Sequence, residues 1–323
     1  MIKLHKYFYP FVIICSMTIS TFSYAQTADK DDSAFDIKVT LLGTGTPNPN
    51  PNQMGQSILV EAGGEKLLFD CGRGCGHRLG NLGTIYLRET AHLFFTHLHS
   101  DHTTGTADYY INSWVRGRAT GISVFGPEKT EDLIRHIRLA YEQDAVLRVD
   151  YQSSPSSRAG LEYTVTNVYD GFVYEINGVK VTAIQVDHGE VKPAFGYRID
   201  YAGRSVVISG DTTYSENLIE NSQGVDVLIH EVMAPALQVL LRNIYKDEAT
   251  VNSIIATHTL PADAGKVFTQ SKTRMGVYTH LINNPAQLPE LIEETRKTWS
   301  GSLEVAEDLM VIEIGRDINI RRP

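Results

Sequence analysis

The chain has 323 residues, 42% hydrophobic and 21% charged, the balance of a globular protein long enough for one large domain or two small ones with a substantial core. Its formal charge is −9 at pH 7, and two units more negative without Lys3 and Lys6. That acidity argues against binding nucleic acid through its phosphates, which calls for a basic patch.

The first element is a leader. Lys3 and Lys6 precede an apolar stretch from Tyr7 to Phe22, and Ser23 and Ala25 in "SYAQ" supply small residues for cleavage before Gln26. This reads as a secretory signal peptide over residues 1–25, leaving a mature domain of residues 26–323 in the periplasm or outside the cell. Pro10 and several Ser and Thr argue against a membrane anchor, and no later segment is expected to cross a bilayer.

Short apolar strands follow: "FDIKVTLLG" (35–43), then the loop "GTGTPNPNPNQ", "SILVEA" (57–62), "KLLFDCG" (66–72) and "HLFFTH" (92–97). A helix is predicted from about Thr104 through "ADYYINSWVRG". "ISVFGP" reads as a strand, and "TEDLIRHIRLAYEQ" as an amphipathic helix opened by Thr130. Residues 150–164 are the most loop-like stretch of the mature chain. "FVYEINGVKVTAIQVDHG" carries a hairpin signal at Asn177-Gly178, and "GYRIDYAGRSVVISGDT" repeats the strand–turn–strand pattern. Beyond it, strands "DVLIHE", "RMGVYTH" and "LMVIEIG" alternate with helices that include "PADAGKVFTQS" and "QLPELIEETRKTW". Both halves run through strands and then alternate strand with helix, which fits an α/β chain with a sheet-on-sheet core flanked by helices.

Cys71 and Cys75 in "FDCGRGCGH" either pair in an oxidising compartment or stay as two buried thiols, and their spacing in a Gly-rich loop leaves both open. "GTGT" lacks the Lys and the helix context of a phosphate loop.

The densest chemistry is "FFTHLHSDHTTG" (94–105). His97, His99, Asp101 and His102 offer three imidazoles and a carboxylate from one loop after a buried strand, a donor set suited to zinc. This HxHxDH run resembles the signature of the metallo-β-lactamase superfamily, whose fold is an αββα sandwich with its metal site at the sheet edges. His188, Asp211 and His280 stand at the ends of later apolar strands, where the superfamily keeps its remaining ligands. The resemblance implies that His97, His99 and His188 hold one metal, that Asp101, His102 and His280 hold a second, and that Asp211 bridges them. Two Zn2+ are expected, with Mn2+ or iron as alternatives.

"IHEV", with His230 and Glu231, and "ATHTLPADAGKVF", with His258, resemble the loops of the ribonuclease Z and arylsulfatase-like branch. There the position of His258 protonates the leaving group and the position of Glu231 orients it, a division that acid catalysis requires. Asp70 is then expected to orient the ligand loop. His77, His92 and His136 read as structural or surface residues. Ribonuclease Z enzymes insert a tRNA-binding arm between the positions of His188 and Asp211; residues 189–210 suffice only for a hairpin.

The expected function is a secreted dinuclear-metal hydrolase in which a metal-bridged hydroxide, steadied by Asp101, attacks a small ester-like substrate: a phosphodiester, sulfate ester, β-lactam or lactone. The alternatives are a dedicated β-lactam-hydrolysing enzyme and a one-iron redox enzyme on the same fold. His99 stands against the iron-dependent relatives that carry Glu there. Tyr141, Tyr151, Tyr163, Tyr169, Phe172 and Tyr174 either wall a pocket or pack an insertion onto the body, and residues 232–250 form a helical lid or an oligomer contact. A homodimer is the default assembly.

Overall fold

Strands buried on both faces read as nearly continuous apolar runs, and this chain is built from them. The computed structural model describes residues 35–151, 156–281 and 288–323, so the expected leader lies outside the described residues. β1 (Ile37–Gly43), β2 (Ser57–Ala62), β3 (Glu65–Phe69), β4 (His92–Phe94), β5 (Ile122–Gly126) and β6 (Tyr163–Asn167) form one sheet in that order. A second sheet runs from β7 (Val173–Ile176) through β8 (Val179–His188), β9 (Val191–Tyr201), β10 (Arg204–Ile208), β11 (Val227–Glu231) and β12 (Met275–Thr279) to β13 (Ser302–Val305). β14 (Val311–Ile314) and β15 (Ile318–Arg321) return to the first sheet beside β1.

Alternation along each strand sorts its side chains between two layers. Leu67, Phe69 and Phe94 of the first sheet meet Phe195, Tyr197 and Ile208 of the second in a shared core. Leu68 and Leu93 point the other way, toward Leu79, Tyr109 and Trp114 on helices covering the first sheet. Val207 and Leu228 likewise face Leu218, Val267 and Phe268 on helices covering the second. The result is the expected αββα sandwich. Phe94 is fully buried and stacks between Phe69 and Phe125, with ring centroids 5.0 and 4.5 Å away. Phe94→Ala is expected to cost about 3–5 kcal/mol by opening a cavity that two sheets cannot close. A thermal melt checks this: the midpoint should fall by roughly 10 °C.

The turns follow local chemistry. Asn177 and Gly178 both have positive φ, 47° and 79°, giving the type I′ turn that the pair predicts between β7 and β8. Three expectations change. The helix expected from Thr104 is two pieces, Ser100–Thr103 and Thr106–Val115. Thr130 opens its helix but does not cap it, because its hydroxyl donates to the Pro127 carbonyl at 2.7 Å. The stretch taken as loop at 150–164 contains a helical turn at Ala159–Leu161 and runs into β6. Cys71 and Cys75 are free buried thiols, and burial together with the Cys75 contact pushes the Cys71 thiol well up. Among the described residues no helix is long and apolar enough to cross a membrane.

Candidate metal centre

Parallel strands deliver their carboxyl ends to one edge of the sandwich, the usual place for a site in such sheets. β3, β4 and β5 run parallel in the first sheet, and β10, β11 and β12 in the second. His97 follows β4, His188 ends β8, Asp211 follows β10, Glu231 ends β11 and His280 follows β12.

The chain then folds tightly enough to aim these side chains at one another. The loop carrying His99 and Asp101 passes so close to the Cys71–Gly72 segment that a Cβ on Gly72 would stand 2.0 Å from the Asp101 carbonyl oxygen, and one on Gly105 2.0 Å from the Gly72 carbonyl oxygen. Only glycine permits either approach. That contact also explains the break in the helix at Gly105.

The donor atoms of His97, His99, His188 and Asp211 lie within 4.8 Å of one another, as do those of Asp101, His102 and His280. Asp211 reaches the second set too, with Oδ1 3.4 Å from His102 Nε2 and Oδ2 3.5 Å from His280 Nε2. His280 Nε2 is also 2.9 Å from Asp101 Oδ2. The structure thus brings all seven expected ligand positions together. His99 faces solvent while the other six are buried.

Outer contacts fix the imidazole rings. His102 Nδ1 lies 2.8 Å from Asp70 Oδ2, and Asp70 also accepts from the backbone N–H and hydroxyl of Thr96. Thr96 Oγ1 in turn meets His97 Nδ1 at 3.1 Å, and His188 Nδ1 donates to the Thr257 carbonyl at 2.8 Å. With each Nδ1 occupied, the Nε2 lone pairs of these histidines are the atoms left to face inward. His97 Nε2 and His102 Nε2 are buried without a hydrogen bond, an expensive state for a polar atom unless a cation meets it. Five imidazoles and two carboxylates, two of whose buried nitrogens have no hydrogen-bond partner, fit divalent cations.

The electrostatics agree. Burial, then His102, holds His97 well below the ordinary imidazole range, and burial with His188 lowers His99. Burial opposes a proton on His102, yet Asp211, Asp70 and Asp101 push that residue well up. The same three carboxylates favour a cation at its Nε2. Burial alone would raise Asp211, but His280 and His102 hold it well below the usual carboxylate range.

His258 sits beside this cluster, its ring stacked on His280 with centroids 5.6 Å apart. Its Nδ1 is 3.1 Å from Glu231 Oε1. That oxygen also accepts the Thr212 and Thr259 backbone N–H groups, so the carboxylate is fixed. Burial works against a proton on His258, but Glu231 raises it to about 9. His230 takes a different part: it is fully buried, its Nδ1 donates to the Glu231 carbonyl and its ring packs edge-on to Phe268.

A cavity of about 280 Å³ opens over the cluster, lined by His99, Asp101, His188, Asp211, His258 and His280 at its base. Thr46, Pro47 and Asn48 form one wall. The other is apolar, built from Leu237 and Leu241 on the helix Pro235–Ile244 and Ile254 on the helix Glu248–Ile255. Residues 232–250 therefore contribute a wall of the cavity. None of the aromatic residues between 140 and 175 is among those lining the cavity. Phe172 and Tyr174 pack on the core between the sheets, Tyr163 packs on the layer covering the first sheet, and Tyr141, Tyr151 and Tyr169 are exposed. Sequence reasoning missed the supporting residues Gln53, Gln56 and Asp308, which carry no local motif and act through contacts across more than 200 residues.

Comparison with known proteins gives consistent relatives. The family described as "Anti-Pycsar protein Apyc1" matches residues 37–240. Ribonuclease Z of Mycobacterium avium (strain 104) is 30% identical over 294 residues, spanning 86% of this chain and 98% of that protein. Among solved structures, the metallo-beta-lactamase fold protein YhfI from Bacillus subtilis superposes with a TM-score of 0.62 at 18% identity, over 85% of this chain and 98% of that one. Human tRNase Z, short form, gives a TM-score of 0.62 at 21% identity, over 86% and 99%.

Proposed function

From a chain that belongs to the metallo-β-lactamase superfamily, in its ribonuclease Z branch, and to the family described as anti-Pycsar protein Apyc1, we infer the following activity: hydrolysis of a small phosphodiester at a two-cation centre. The protein is a metal-dependent hydrolase; the substrate class, the number of cations and zinc as their identity are our reading. The observation that carries it is His258, held by Glu231 next to the cluster, where an oxygen leaving group needs a proton.

His97, His99 and His188 would hold one cation and Asp101, His102 and His280 the other, with Asp211 shared. When bound, two divalent cations supply Lewis acidity at the phosphoryl group. The remaining work falls to the chain. Glu231 keeps Nδ1 of His258 protonated and the ring aligned, and His258 passes a proton from Nε2 to the departing oxygen. Leu237, Leu241 and Ile254 exclude water from that side and pack the apolar part of the substrate.

The ribonuclease Z relatives, by their name, act on RNA. A small substrate is favoured here because the described residues lining the cavity include no lysine or arginine to meet a train of phosphates. The 189–210 segment adds to this: it forms the β9–β10 hairpin, and we read the chain as lacking a tRNA-binding arm. Action outside the cytoplasm rests on the leader in residues 1–25, and a homodimer remains part of the same reading. The one-iron alternative is not favoured, since Asp101, His102 and His280 converge as a second set.

Elemental analysis of the purified mature chain, paired with a chromogenic phosphodiester, an aryl sulfate, a β-lactam and a lactone, tests the reading. About two zinc per chain and turnover of the phosphodiester alone are expected. Turnover of a different member of the panel, or a single iron per chain, overturns it.

A further inference from the structure

His280 has φ 54°, in the left-handed region that a residue with a Cβ seldom adopts. Such a conformation persists only where the surroundings over-determine it, and it tends to mark a functional position. Here the surroundings are one loop. The N–H of Leu281, the next residue, donates to the Thr44 carbonyl at 3.1 Å. The carbonyl of Leu281 accepts from Gln53 Nε2 at 2.8 Å. On the other side of His280, the Thr279 hydroxyl donates to Gln56 Oε1 at 3.2 Å. Both neighbours of the strained residue are thus tied to the β1–β2 loop.

That loop is itself anchored. Asp308 accepts from the backbone N–H groups of Thr44 and Met54, at 3.0 and 2.7 Å, and pairs with Arg78 at 2.9 Å. Gln53 is 6% exposed, and its Nε2 also donates to the Thr44 hydroxyl at 3.1 Å.

We propose that Gln53 is a positioning residue for His280: its amide holds the chain beyond His280 so that the imidazole keeps the strained backbone from which Nε2 reaches Asp101 and Asp211. Gln53 is not among the residues lining the cavity over the centre and belongs to neither donor set. It acts on one side of the centre, the side of Asp101, His102 and His280, and leaves the His97, His99 and His188 side untouched. The proposal rests on the two-cation reading above.

The test is a titration of zinc chloride into the full mature chain after removal of metal with a chelator, followed by calorimetry, for the wild type, Gln53→Met and Gln53→Glu. Asn52→Ala, a change at an exposed neighbour in the same loop, serves as control. Methionine keeps the length of the side chain and loses the donor, while glutamate keeps its shape and loses the donor. We expect the wild type and the control to take up about two zinc, and both Gln53 variants to bind one zinc as tightly as wild type and the other about tenfold or more weakly. Excess zinc should then restore kcat, and the melting temperature of the metal-free chains should fall by no more than the few degrees that one lost buried hydrogen bond costs. Unchanged affinity for both ions, an equal loss of both, or a marked fall in the metal-free melting temperature of both variants overturns the proposal. A wild type that takes up no zinc overturns the two-cation reading first, and this inference with it.

Discussion

Asp211→Ala is expected to abolish hydrolysis and metal retention together, lowering turnover at least about 10³-fold, the scale on which removal of one electrostatic stabiliser acts. The carboxylate is 3% exposed, and its oxygens lie 3.9 Å from His97 Nε2, 3.9 Å from His188 Nε2, 3.4 Å from His102 Nε2 and 3.5 Å from His280 Nε2. Among the described residues no other carboxylate stands in both donor sets. On the two-cation reading, alanine would therefore take a ligand from each cation and the negative charge that would offset their repulsion. Asp211→Asn separates the two effects, keeping the shape while losing the charge, and metal content should still fall. His99→Ala is the informative contrast, because His99 faces solvent and serves one set only. Its loss should weaken one cation and spare the other. Elemental analysis after dialysis, with turnover of the chromogenic phosphodiester, reads both variants. Turnover that survives Asp211→Ala removes the two-cation mechanism.

The sign of the acid dependence follows from the same residue. His102 and His280 hold Asp211 well below the usual carboxylate range, against burial. A carboxylate depressed on folding contributes stability that is complete above its unfolded value and is lost as pH falls through the folded one. Protons also compete with cations for the imidazoles, so metal retention should fail on the acid side before the fold does.

Much of this centre was legible before any coordinates. Four ligand positions lie within six residues, and the resemblance of that run to the superfamily signature pointed to the distant three at the ends of later apolar strands. The sheet-on-sheet core followed from the order of strands and helices, and its αββα form from the resemblance. Other features had no local signal. Asp308 acts on Thr44 from 264 positions away, and Gln53 holds Leu281 across 228, so neither belongs to a motif. The helix Cys75–Leu82 escaped notice because four glycines in "GRGCGHRLGNL" argue for a loop, whereas burial of Cys75 and Leu79 against the first sheet stabilises it. β6 was hidden by an adjoining Ser/Pro-rich stretch and by its place at a sheet edge, where its exposed residues leave little apolar signal. The aromatics between 140 and 175 carried no directional information at all. Only packing decides whether such side chains wall a cavity or cover a core.

The second large effect concerns the proton. His258→Ala should reduce hydrolysis of a phosphodiester with an alkoxide leaving group by about 10²–10⁴-fold, the range for loss of a positioned general acid. An aryl leaving group such as nitrophenolate departs without that proton, so the same variant should lose far less against it. A merely structural histidine would lower both equally, and the ratio of the two losses is the measurement. Glu231→Gln probes the same proton from behind. Glu231 raises His258, to about 9 before any cation binds, so the acid form is favoured and activity should decline on the alkaline side. Removing the carboxylate charge moves the alkaline limb of the kcat profile down toward the ordinary imidazole value near 6.5. Bound cations lower His258 in wild type and variant alike, so the displacement keeps its direction. The linked stability has the same sign: a histidine raised on folding contributes fully below its unfolded value and loses that contribution as pH climbs through the folded one. The metal-free wild type should therefore hold an extra margin that Glu231→Gln lacks, full below about 6.5, shrinking between about 6.5 and 9 and gone above, visible as a difference in melting temperature that closes across that window. An unmoved alkaline limb in Glu231→Gln would detach the carboxylate from catalysis and leave it as a buried anchor for the Thr212 and Thr259 backbone.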